Sequence, residues 1–169
     1  MGAGAVIFDR DGVLNRDVGY AHRPDQIAWI EGAAEAVRAV NDAGLLALVA
    51  TNQSGVARGF YGEADVRALH EWMAAELAAQ GARIDGFVYC ADHPDAASDR
   101  RKPAPGMILE LIARFGLDPA RTVMIGDKES DLQAAQAAGI GGLLFEGGSL
   151  SACVAPLVAR IAAVTARPS

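Results

Sequence analysis

The chain has 169 residues, with 15 basic and 21 acidic side chains and a net charge of −6. This length suits one domain with its own core, and the negative charge argues against a nucleic-acid partner or an anionic membrane surface, because both would repel it. The first residues lack a signal-peptide pattern and no apolar run approaches the ~18 residues that span a bilayer, so we expect a single domain over 1–169, monomeric and cytoplasmic.

Short apolar runs alternate with Ala-rich segments of helical spacing along the chain. In chain order they predict a strand at Ala5–Phe8, a helix at Ala33–Ala43, a strand at Leu45–Ala50, a helix at Glu63–Gln80, a strand at Phe87–Cys90, a helix at Gly106–Phe115, a strand at Val123–Gly126, a helix at Ser130–Ala138, a strand at Gly142–Phe145 and a helix at Ala152–Val164. This alternation predicts an α/β fold, a Rossmann-like three-layer α/β/α sandwich around a mainly parallel sheet. In such sheets ligands bind beyond the carboxyl ends of the strands.

Polar motifs follow the predicted strands at these carboxyl ends. They read DRDG at 9–12, TNQSG at 51–55 and GDKESD at 126–131, and the segment RRKP at 100–103 precedes a predicted helix. Carboxylates that meet at one edge repel each other unless a cation lies among them, and oxygen ligands suit Mg²⁺. The pattern therefore predicts a magnesium ion beside a phosphate site, where a lysine, Thr51 and backbone N–H groups would hold the phosphoryl oxygens.

The two aspartates of DRDG suit two different roles in phosphoryl transfer, one as nucleophile and one as acid and base. An aspartate can attack phosphorus and form an aspartyl-phosphate, which splits one difficult displacement into two easier ones. The step of two residues lets the second carboxylate face the leaving group, where it would donate a proton and later accept one from water. Each motif taken alone is also typical of a turn or a helix cap. Their joint occurrence at the strand ends favours the catalytic interpretation.

Four segments, FDRDGVLN, TNQSG, RKPAPGM and GDKESD, resemble the four motifs of the haloacid-dehalogenase (HAD) phosphatases over about residues 5–145. The resemblance implies Asp9 as nucleophile and Asp11 as acid and base. It implies Thr51 and Lys102 as phosphate holders. Magnesium would be bound by Asp9, by the backbone carbonyl of Asp11 and by Asp127. Asp131 would support these ligands without binding the metal itself.

The stretches DRDGVLNRDVGY, TNQSGVARGFY and RKPAPGM are similar to the subgroup that contains D-glycero-D-manno-heptose-1,7-bisphosphate 7-phosphatase and histidinol-phosphate phosphatase, and the heptose enzyme is the nearer. This resemblance implies removal of the 7-phosphate of the heptose bisphosphate, a lipopolysaccharide precursor, with histidinol phosphate or another sugar or polyol phosphate as the alternative. The substrate contacts that it implies are Asp17, Val18, Gly19, Tyr20, Thr51, Asn52, Gln53, Ser54, Arg101 and Lys102, with Lys128 beside the metal and Arg58 as a candidate for the second phosphate.

The chain departs from this subgroup at a zinc site. The subgroup carries a Cys-x-His pair and a Cys-x-Cys pair, but the matching positions here hold Cys90 with Asp92 and Ser98 with Arg100. A closed tetrahedral zinc site needs four ligands, so we predict no zinc. Cys90 then becomes an ordinary buried thiol, and a disulfide to the distant Cys153 is not expected.

The spacing of the motifs leaves no room for a cap domain, so loops alone should cover the site, chiefly Asn15–Trp29 and Asp92–Arg101. The three histidines, His22, His70 and His93, have no second ligand at metal spacing, and we expect them at the surface. Trp29 and Trp72 are expected to be packing residues.

Three other functions share parts of this pattern. A receiver-like signalling domain also phosphorylates an aspartate beside Mg²⁺ and a lysine, but it does not need the acid and base at Asp11. A non-catalytic module that binds phosphorylated ligands would not need the full set of carboxylates. A phosphomutase would add a cap.

Overall fold

Parallel strands alternate with helices through residues 2–165, the part of the chain that this computed structural model describes. The strands are β1 at Ala3–Phe8, β2 at Leu46–Asn52, β3 at Gly86–Cys90, β4 at Leu117–Gly126 and β5 at Gly141–Leu144. The helices are α1 at Ala33–Asp42, α2 at Glu63–Ala79, α3 at Gly106–Phe115, α4 at Glu129–Ala138 and α5 at Leu150–Thr165, and a 3-10 turn lies at Pro24–Gln26. Within these residues, no helix combines the length and the apolar character that crossing a membrane requires.

The five strands form one sheet in the order β3-β2-β1-β4-β5, and every pair is parallel. The predicted α/β sandwich is confirmed, and the strands and helices occur in the predicted order. The largest difference in bounds concerns β4, which begins at Leu117 rather than Val123. Leu117 pairs with Ala3 ahead of a register shift, so the extra residues join the sheet although their sequence is not a continuous apolar run.

Alternate residues of β1 face two separate apolar layers. Val6 and Phe8 pack in a cluster with residues of α1 and α5, whereas Ala5 and Ile7 pack in a cluster with residues of α3 and α4. All four side chains are fully buried. Burial of a large apolar side chain contributes about 1.5–3 kcal/mol, so this central strand is a principal source of stability. It is also the strand that carries the first polar motif.

The strand order fixes where a ligand can bind. The chain proceeds outward from β1 to β2 and β3, then returns to the other side of β1 and adds β4 and β5. The switch in direction opens a crevice at the carboxyl ends of β1 and its neighbours, which is the usual ligand site of doubly wound sheets. The motifs after β1, β2 and β4 all reach this crevice.

Candidate active site

The carboxyl ends of β1, β2 and β4 border a cavity of about 560 Å³. The residues predicted for the site that line this cavity are Asp9, Asp11, Asp17, Gly19, Tyr20, Thr51, Asn52, Gln53, Ser54, Arg101, Lys102, Lys128 and Asp131. The strand-end motifs therefore meet at one place. Tyr61, Pro103 and Ser130 also line the cavity, although the sequence did not single them out.

The turn after β1 places Asp9 at the floor of the cavity. Its backbone N–H donates to the carbonyl of Ile125 at 2.9 Å, which fixes the turn to β4, and its Oδ1 accepts the N–H of Arg10 at 2.9 Å. Gly12 has φ of +91°, and a Cβ there would clash with the carboxylate of Asp127. Glycine at this position lets the loops after β1 and β4 approach each other, because it has no Cβ and tolerates a positive φ.

Lys102 is only 4% exposed and reaches the same floor from the loop before α3. Its Nζ donates to Asp9 Oδ1 at 2.9 Å, to Asp131 Oδ1 at 2.6 Å and to the carbonyl of Ala50 at 3.0 Å. Burial lowers the pKa of Lys102, but the two carboxylates outweigh it, and the net pKa lies above its ordinary value.

The carboxylates outnumber this lysine. Burial raises the pKa of Asp9 to about 7, an effect that Lys102 opposes and that Asp131 and Asp11 reinforce. Even with Arg10 beside Asp11, three carboxylates lie beside only two cations, and together with burial this disfavours the ionised form of Asp9. An additional positive charge is needed for all of these carboxylates to be ionised together.

Three carboxylates offer a place for that charge. Asp9, Asp127 and Asp131 each present an oxygen within 4.8 Å of the others. Both oxygens of Asp131 are engaged, Oδ1 by Lys102 and Oδ2 by the backbone N–H of Lys128 at 3.2 Å. Asp127 Oδ1 is buried and finds no hydrogen-bond partner among the described residues. A buried carboxylate oxygen without a donor, beside a second carboxylate, fits a hard cation such as Mg²⁺.

The carboxylate of Asp11 is held from the other side of the turn. Its Oδ1 accepts from Arg10 Nε at 3.2 Å and Asn15 Nδ2 at 2.9 Å, and its Oδ2 accepts from Arg10 Nη2 at 3.1 Å and Gln53 Nε2 at 3.1 Å. The side chain of Asp11 is 22% exposed toward the cavity. Asp9 and Asp11 therefore have different cationic partners, Lys102 and Arg10.

The TNQSG segment continues β2 into the cavity wall. The amide of Gln53 donates to Thr51 Oγ1 at 2.9 Å and is oriented by Tyr61, whose hydroxyl donates to Gln53 Oε1 at 2.6 Å. Asn52 exchanges two hydrogen bonds with the backbone of Lys102, at 3.1 and 3.2 Å. These bonds hold Lys102 in register with the end of β2.

The mouth of the cavity is bordered by cations and aromatic rings. Lys128 Nζ lies 3.9 Å from Asp17 Oδ2. Tyr20 is exposed, has φ of +52°, which is uncommon outside glycine, and contacts Phe60 edge to face with ring centroids 4.8 Å apart. Arg101 Nη1 is buried without a partner among the described residues. Arg101 also lines the cavity, so its guanidinium is a candidate partner for an anion there.

Three predicted residues are not among those that line the cavity. Val18 is 55% exposed and Arg58 is also exposed. Asp127 belongs to the acidic cluster described above. The predicted substrate contacts of Val18 and Arg58 stay predictions.

The expectation that His70 lies at the surface is wrong. His70 is 5% exposed, its Nε2 lies 3.2 Å from Arg10 Nη1, and its ring stacks on Phe87 with centroids 4.5 Å apart. Burial, reinforced by the Arg10 cation, lowers the pKa of His70 to about 3. Its spacing from Val66 and Met73 on the buried face of α2 was the available sequence signal.

Sequence reasoning also missed Arg10, Asn15 and Tyr61. Arg10 and Asn15 are fully buried, and Tyr61 is 8% exposed. All three contact Asp11 or Gln53 directly. Nothing in the local sequence separates Arg10 from a surface arginine, because the direction of its side chain depends on how the turn packs on α2.

The positions compared with a zinc site lie close together at the end of β3. Cys90 is buried, as predicted, and its Sγ lies 3.4 Å from Asp92 Oδ2 and 3.7 Å from Ser98 Oγ. Ser98 Oγ donates to Asp92 Oδ2 at 2.6 Å. Arg100 donates to the carbonyl of Tyr89 at 2.9 Å. Hydrogen bonds thus connect this loop to β3, and the absence of zinc stays a prediction.

Comparison with known proteins adds independent support. A family model described as HAD-hydrolase-like matches residues 99–165. The chain is 47% identical over 150 residues to a D-glycero-beta-D-manno-heptose-1,7-bisphosphate 7-phosphatase of Rhodopseudomonas palustris, covering 85% of this chain and 83% of the relative. It is 42% identical over 148 residues to a D-glycero-alpha-D-manno-heptose-1,7-bisphosphate 7-phosphatase of Burkholderia mallei, covering 83% and 78%.

A solved structure agrees with these relatives. The D,D-heptose 1,7-bisphosphate phosphatase of B. bronchiseptica, complexed with magnesium and phosphate, superposes with a TM-score of 0.81 at 31% identity and covers 96% of this chain and 98% of that chain. Fold, strand-end motifs and relatives agree, and the chain belongs to the HAD-like family of phosphatases.

Proposed function

We propose that this phosphatase removes the 7-phosphate of D-glycero-D-manno-heptose 1,7-bisphosphate through an aspartyl-phosphate on Asp9. The observation that carries the proposal is the contact of Asp9 with Lys102 at 2.9 Å on the cavity floor, with Asp11 two residues further along the same turn. The names of the relatives at 47% and 42% identity support the heptose substrate.

In the proposed reaction, a carboxylate oxygen of Asp9 forms a bond to the phosphorus of the 7-phosphate while the bond from phosphorus to the sugar oxygen breaks. Asp11 gives its proton to the departing oxygen. A water molecule then attacks phosphorus, its proton passes to Asp11, and the bond to Asp9 breaks to release inorganic phosphate. Lys102 and the hydroxyl of Thr51 stabilise the phosphoryl oxygens during both displacements.

We further propose that Asp9, the backbone carbonyl of Asp11, and Asp127 hold a magnesium ion, which Asp131 supports through its bond to Lys102. The buried, unpartnered Asp127 Oδ1 supports this assignment, as does the magnesium in the B. bronchiseptica relative. When bound, magnesium neutralises negative charge on the carboxylates and on the phosphoryl group.

The rest of the substrate would lie toward the mouth of the cavity. Arg101, with its buried and unpartnered Nη1, is the strongest candidate for the second phosphate. Lys128 and Arg58 are further candidates, and the segment 17–20 would contact the sugar. A bisphosphate fits this arrangement because it presents an anion at each end, and the cavity is lined by Arg101 and Lys128 in addition to Lys102.

The test is phosphate release with Mg²⁺ from both anomers of the heptose 1,7-bisphosphate, histidinol phosphate, fructose 1,6-bisphosphate and generic monophosphates. We expect roughly 100-fold preference for one heptose bisphosphate, which corresponds to about 2.7 kcal/mol of selective transition-state binding. Flat, weak activity across the panel would contradict the heptose assignment, and preference for histidinol phosphate would replace it. Release of about one equivalent of the dephosphorylated product, with the phosphoryl group retained on the protein and no turnover, would favour the receiver-like alternative.

The nucleophile is tested with Asp9→Asn, beside the matched change Asp118→Asn at a half-buried residue near the start of β4, which does not line the cavity. Asp9→Asn should fold and lose turnover, because it removes the attacking oxygen and little packing, whereas Asp118→Asn should keep it. Retention of more than roughly a few per cent of activity by Asp9→Asn, with contamination excluded, would overturn the covalent mechanism.

We also propose that the chain is one HAD-like domain over 1–169 without a cap, that it acts as a cytoplasmic monomer and that it needs no zinc. The two apolar clusters on opposite faces of one sheet support a single domain. The free cysteines Cys90 and Cys153 support a reducing compartment. The hydrogen bonds among Cys90, Asp92 and Ser98 support a loop that is held without metal.

A further inference from the structure

A fully buried arginine lies directly behind the proposed acid and base. The side chain of Arg10 is 0% exposed, and its Nε and Nη2 reach the two oxygens of Asp11 at 3.2 and 3.1 Å. Two further N–H groups are also used, because Nη2 donates to the carbonyl of Ala21 at 2.8 Å and Nη1 lies 3.2 Å from His70 Nε2. A guanidinium fork of this kind fixes both the position and the plane of a carboxylate.

We propose that Arg10 is a positioning residue for proton transfer by Asp11, and that His70 holds Arg10 in place. This inference rests on the proposed function, since it takes Asp11 as the acid and base. His70 is suited to the role because a neutral imidazole can accept from a cation, and the low pKa of His70 keeps it neutral. The chain of contacts runs from α2 through His70 and Arg10 to Asp11.

Arg10 and Lys102 contact different carboxylates, so Arg10 can orient Asp11 separately from Asp9. Lys102 contacts Asp9 and Asp131, whereas the cation that contacts Asp11 is Arg10. Two carboxylates only two residues apart are thereby oriented independently. If Arg10 were shortened, Asp11 would keep the neutral donors Asn15 and Gln53 but lose the fork that fixes its plane.

Proton transfer also requires one oxygen of Asp11 to be free at the right moment. Four donors occupy the carboxylate, and of these the amide of Gln53 is neutral and lines the cavity. The leaving oxygen of the substrate can therefore replace Gln53, while the buried Arg10 keeps its two bonds. The carboxylate of Asp11 then exchanges the amide of Gln53 for the leaving oxygen, while its bonds to Arg10 keep its orientation unchanged.

The test compares two leaving groups. A sugar alkoxide needs a proton as it leaves, whereas p-nitrophenolate is a weak base and leaves without one, so only the first substrate depends on a well-placed acid. In Arg10→Lys we expect phosphoryl transfer from the best sugar phosphate of the panel to slow roughly 100-fold, and transfer from p-nitrophenyl phosphate to stay within about threefold of the unaltered enzyme. Because water attack also uses Asp11, the nitrophenyl substrate should give a burst of nitrophenol followed by slow turnover.

Matched variants separate this role from general damage. Arg121→Lys alters a partly buried arginine of β4 that contacts the carbonyl of Gly2, just before β1 and away from the cavity, and it should change neither rate. His70→Phe removes the acceptor for Arg10 and keeps an aromatic ring against Phe87. It should slow phosphoryl transfer from the sugar phosphate roughly tenfold, with little effect on phosphoryl transfer from p-nitrophenyl phosphate. His70→Gln supplies a neutral acceptor again and should restore the rate.

Equal slowing of the phosphoryl-transfer step from both substrates in Arg10→Lys, measured before the slow hydrolysis of the aspartyl-phosphate, or no slowing of that step with either substrate, would overturn the positioning role. If Arg10→Lys does not fold, the two His70 variants provide the test. Identical rates of phosphoryl transfer from the sugar phosphate in His70→Phe and His70→Gln would then overturn the positioning role. Asp11→Asn is the reference: if it slows phosphoryl transfer from both substrates equally, the acid role of Asp11 in the proposed function is wrong, whatever the role of Arg10. If the enzyme is inactive toward heptose bisphosphate but active toward another sugar phosphate of the panel, the substrate assignment is wrong, and the Arg10 comparison is made with that other sugar phosphate.

Discussion

Two buried cations divide three of the carboxylates of the site between them. Asp9 and Asp131 share Lys102, and Asp11 is paired with Arg10. Both cations are almost completely buried, which is costly for a charge unless its hydrogen bonds are satisfied. Removal of either partner would therefore leave an uncompensated charge. This explains why residues away from the reacting atoms are needed at the site.

His70 makes a residue-scale prediction about stability and pH. Its folded pKa of about 3 lies below the ordinary unfolded value, so below pH ~6.5 the unfolded chain binds a proton that the folded chain refuses. Stability from this group is therefore lost as pH falls from ~6.5 toward 3, by up to about 1.4 kcal/mol per pH unit. At pH 5 the loss should be about 2 kcal/mol.

The measurement is urea unfolding of the unaltered chain and of His70→Gln between pH 7 and 5. The glutamine variant should lack this loss, so the stability difference between the two proteins should change by about 2 kcal/mol across the range. The raised pKa of Asp9 acts in the opposite direction in both proteins, which is why the difference is compared. A difference that is constant with pH would show that His70 titrates alike in the folded and unfolded chains.

At the scale of elements, the loop between β3 and α3 carries Arg101 and Lys102 into the cavity. Ser98 is the centre of this loop, because its hydroxyl accepts the backbone N–H groups of Arg100 and Arg101 at 3.2 and 3.1 Å and donates to Asp92 at 2.6 Å. A side-chain oxygen that satisfies two successive N–H groups fixes the local backbone. The direction of Arg101 thus depends on Ser98.

We predict that Ser98→Ala raises KM for a bisphosphate roughly three- to tenfold, since each lost hydrogen bond is worth about 0.5–1.5 kcal/mol, and leaves kcat within about twofold. The reason is that Arg101 becomes less ordered while Lys102 stays held by Asn52. The matched change Ser151→Ala, at the start of α5, should leave both constants unchanged. An unchanged KM in Ser98→Ala would show that Arg101 is positioned without this hydroxyl.

At the scale of the whole molecule, the carboxylate cluster joins the loops after β1 and β4, so it opposes folding unless a cation is bound. We predict that Mg²⁺ at 100 times its Kd stabilises the protein by about 2.7 kcal/mol, a rise in Tm of roughly 5–11 °C. Thermal unfolding in EDTA and in Mg²⁺ measures the effect. Asp127→Asn should abolish the shift and be at least as stable in EDTA, because it removes one of the repelling charges.

Asp118→Asn serves as the control and should keep the full Mg²⁺ shift. A shift of equal size in Asp127→Asn would place the metal elsewhere. Loss of the shift together with a large loss of stability in EDTA would show instead that Asp127 is needed for folding itself.

The sequence by itself determined the order of strands and helices and the motifs that meet at the site. Strand periodicity and helix spacing are local properties, and parallel strands bring their carboxyl ends to one edge whatever the details of packing. For this reason the convergence of Asp9, Thr51 and Lys102 on one cavity could be foreseen. The early start of β4 could not, because pairing with Ala3 compensates for its weak local pattern.

Only the tertiary structure decided which side chains support the motifs. His70 and Tyr61 lie far from Arg10 in sequence, and their contacts depend on how α2 and the loop before it pack against the first turn. The burial of Arg10 has the same origin, since its local sequence is polar and fits a surface turn equally well. Long-range packing sets the direction of such side chains and the field around them, and neither can be derived from local periodicity.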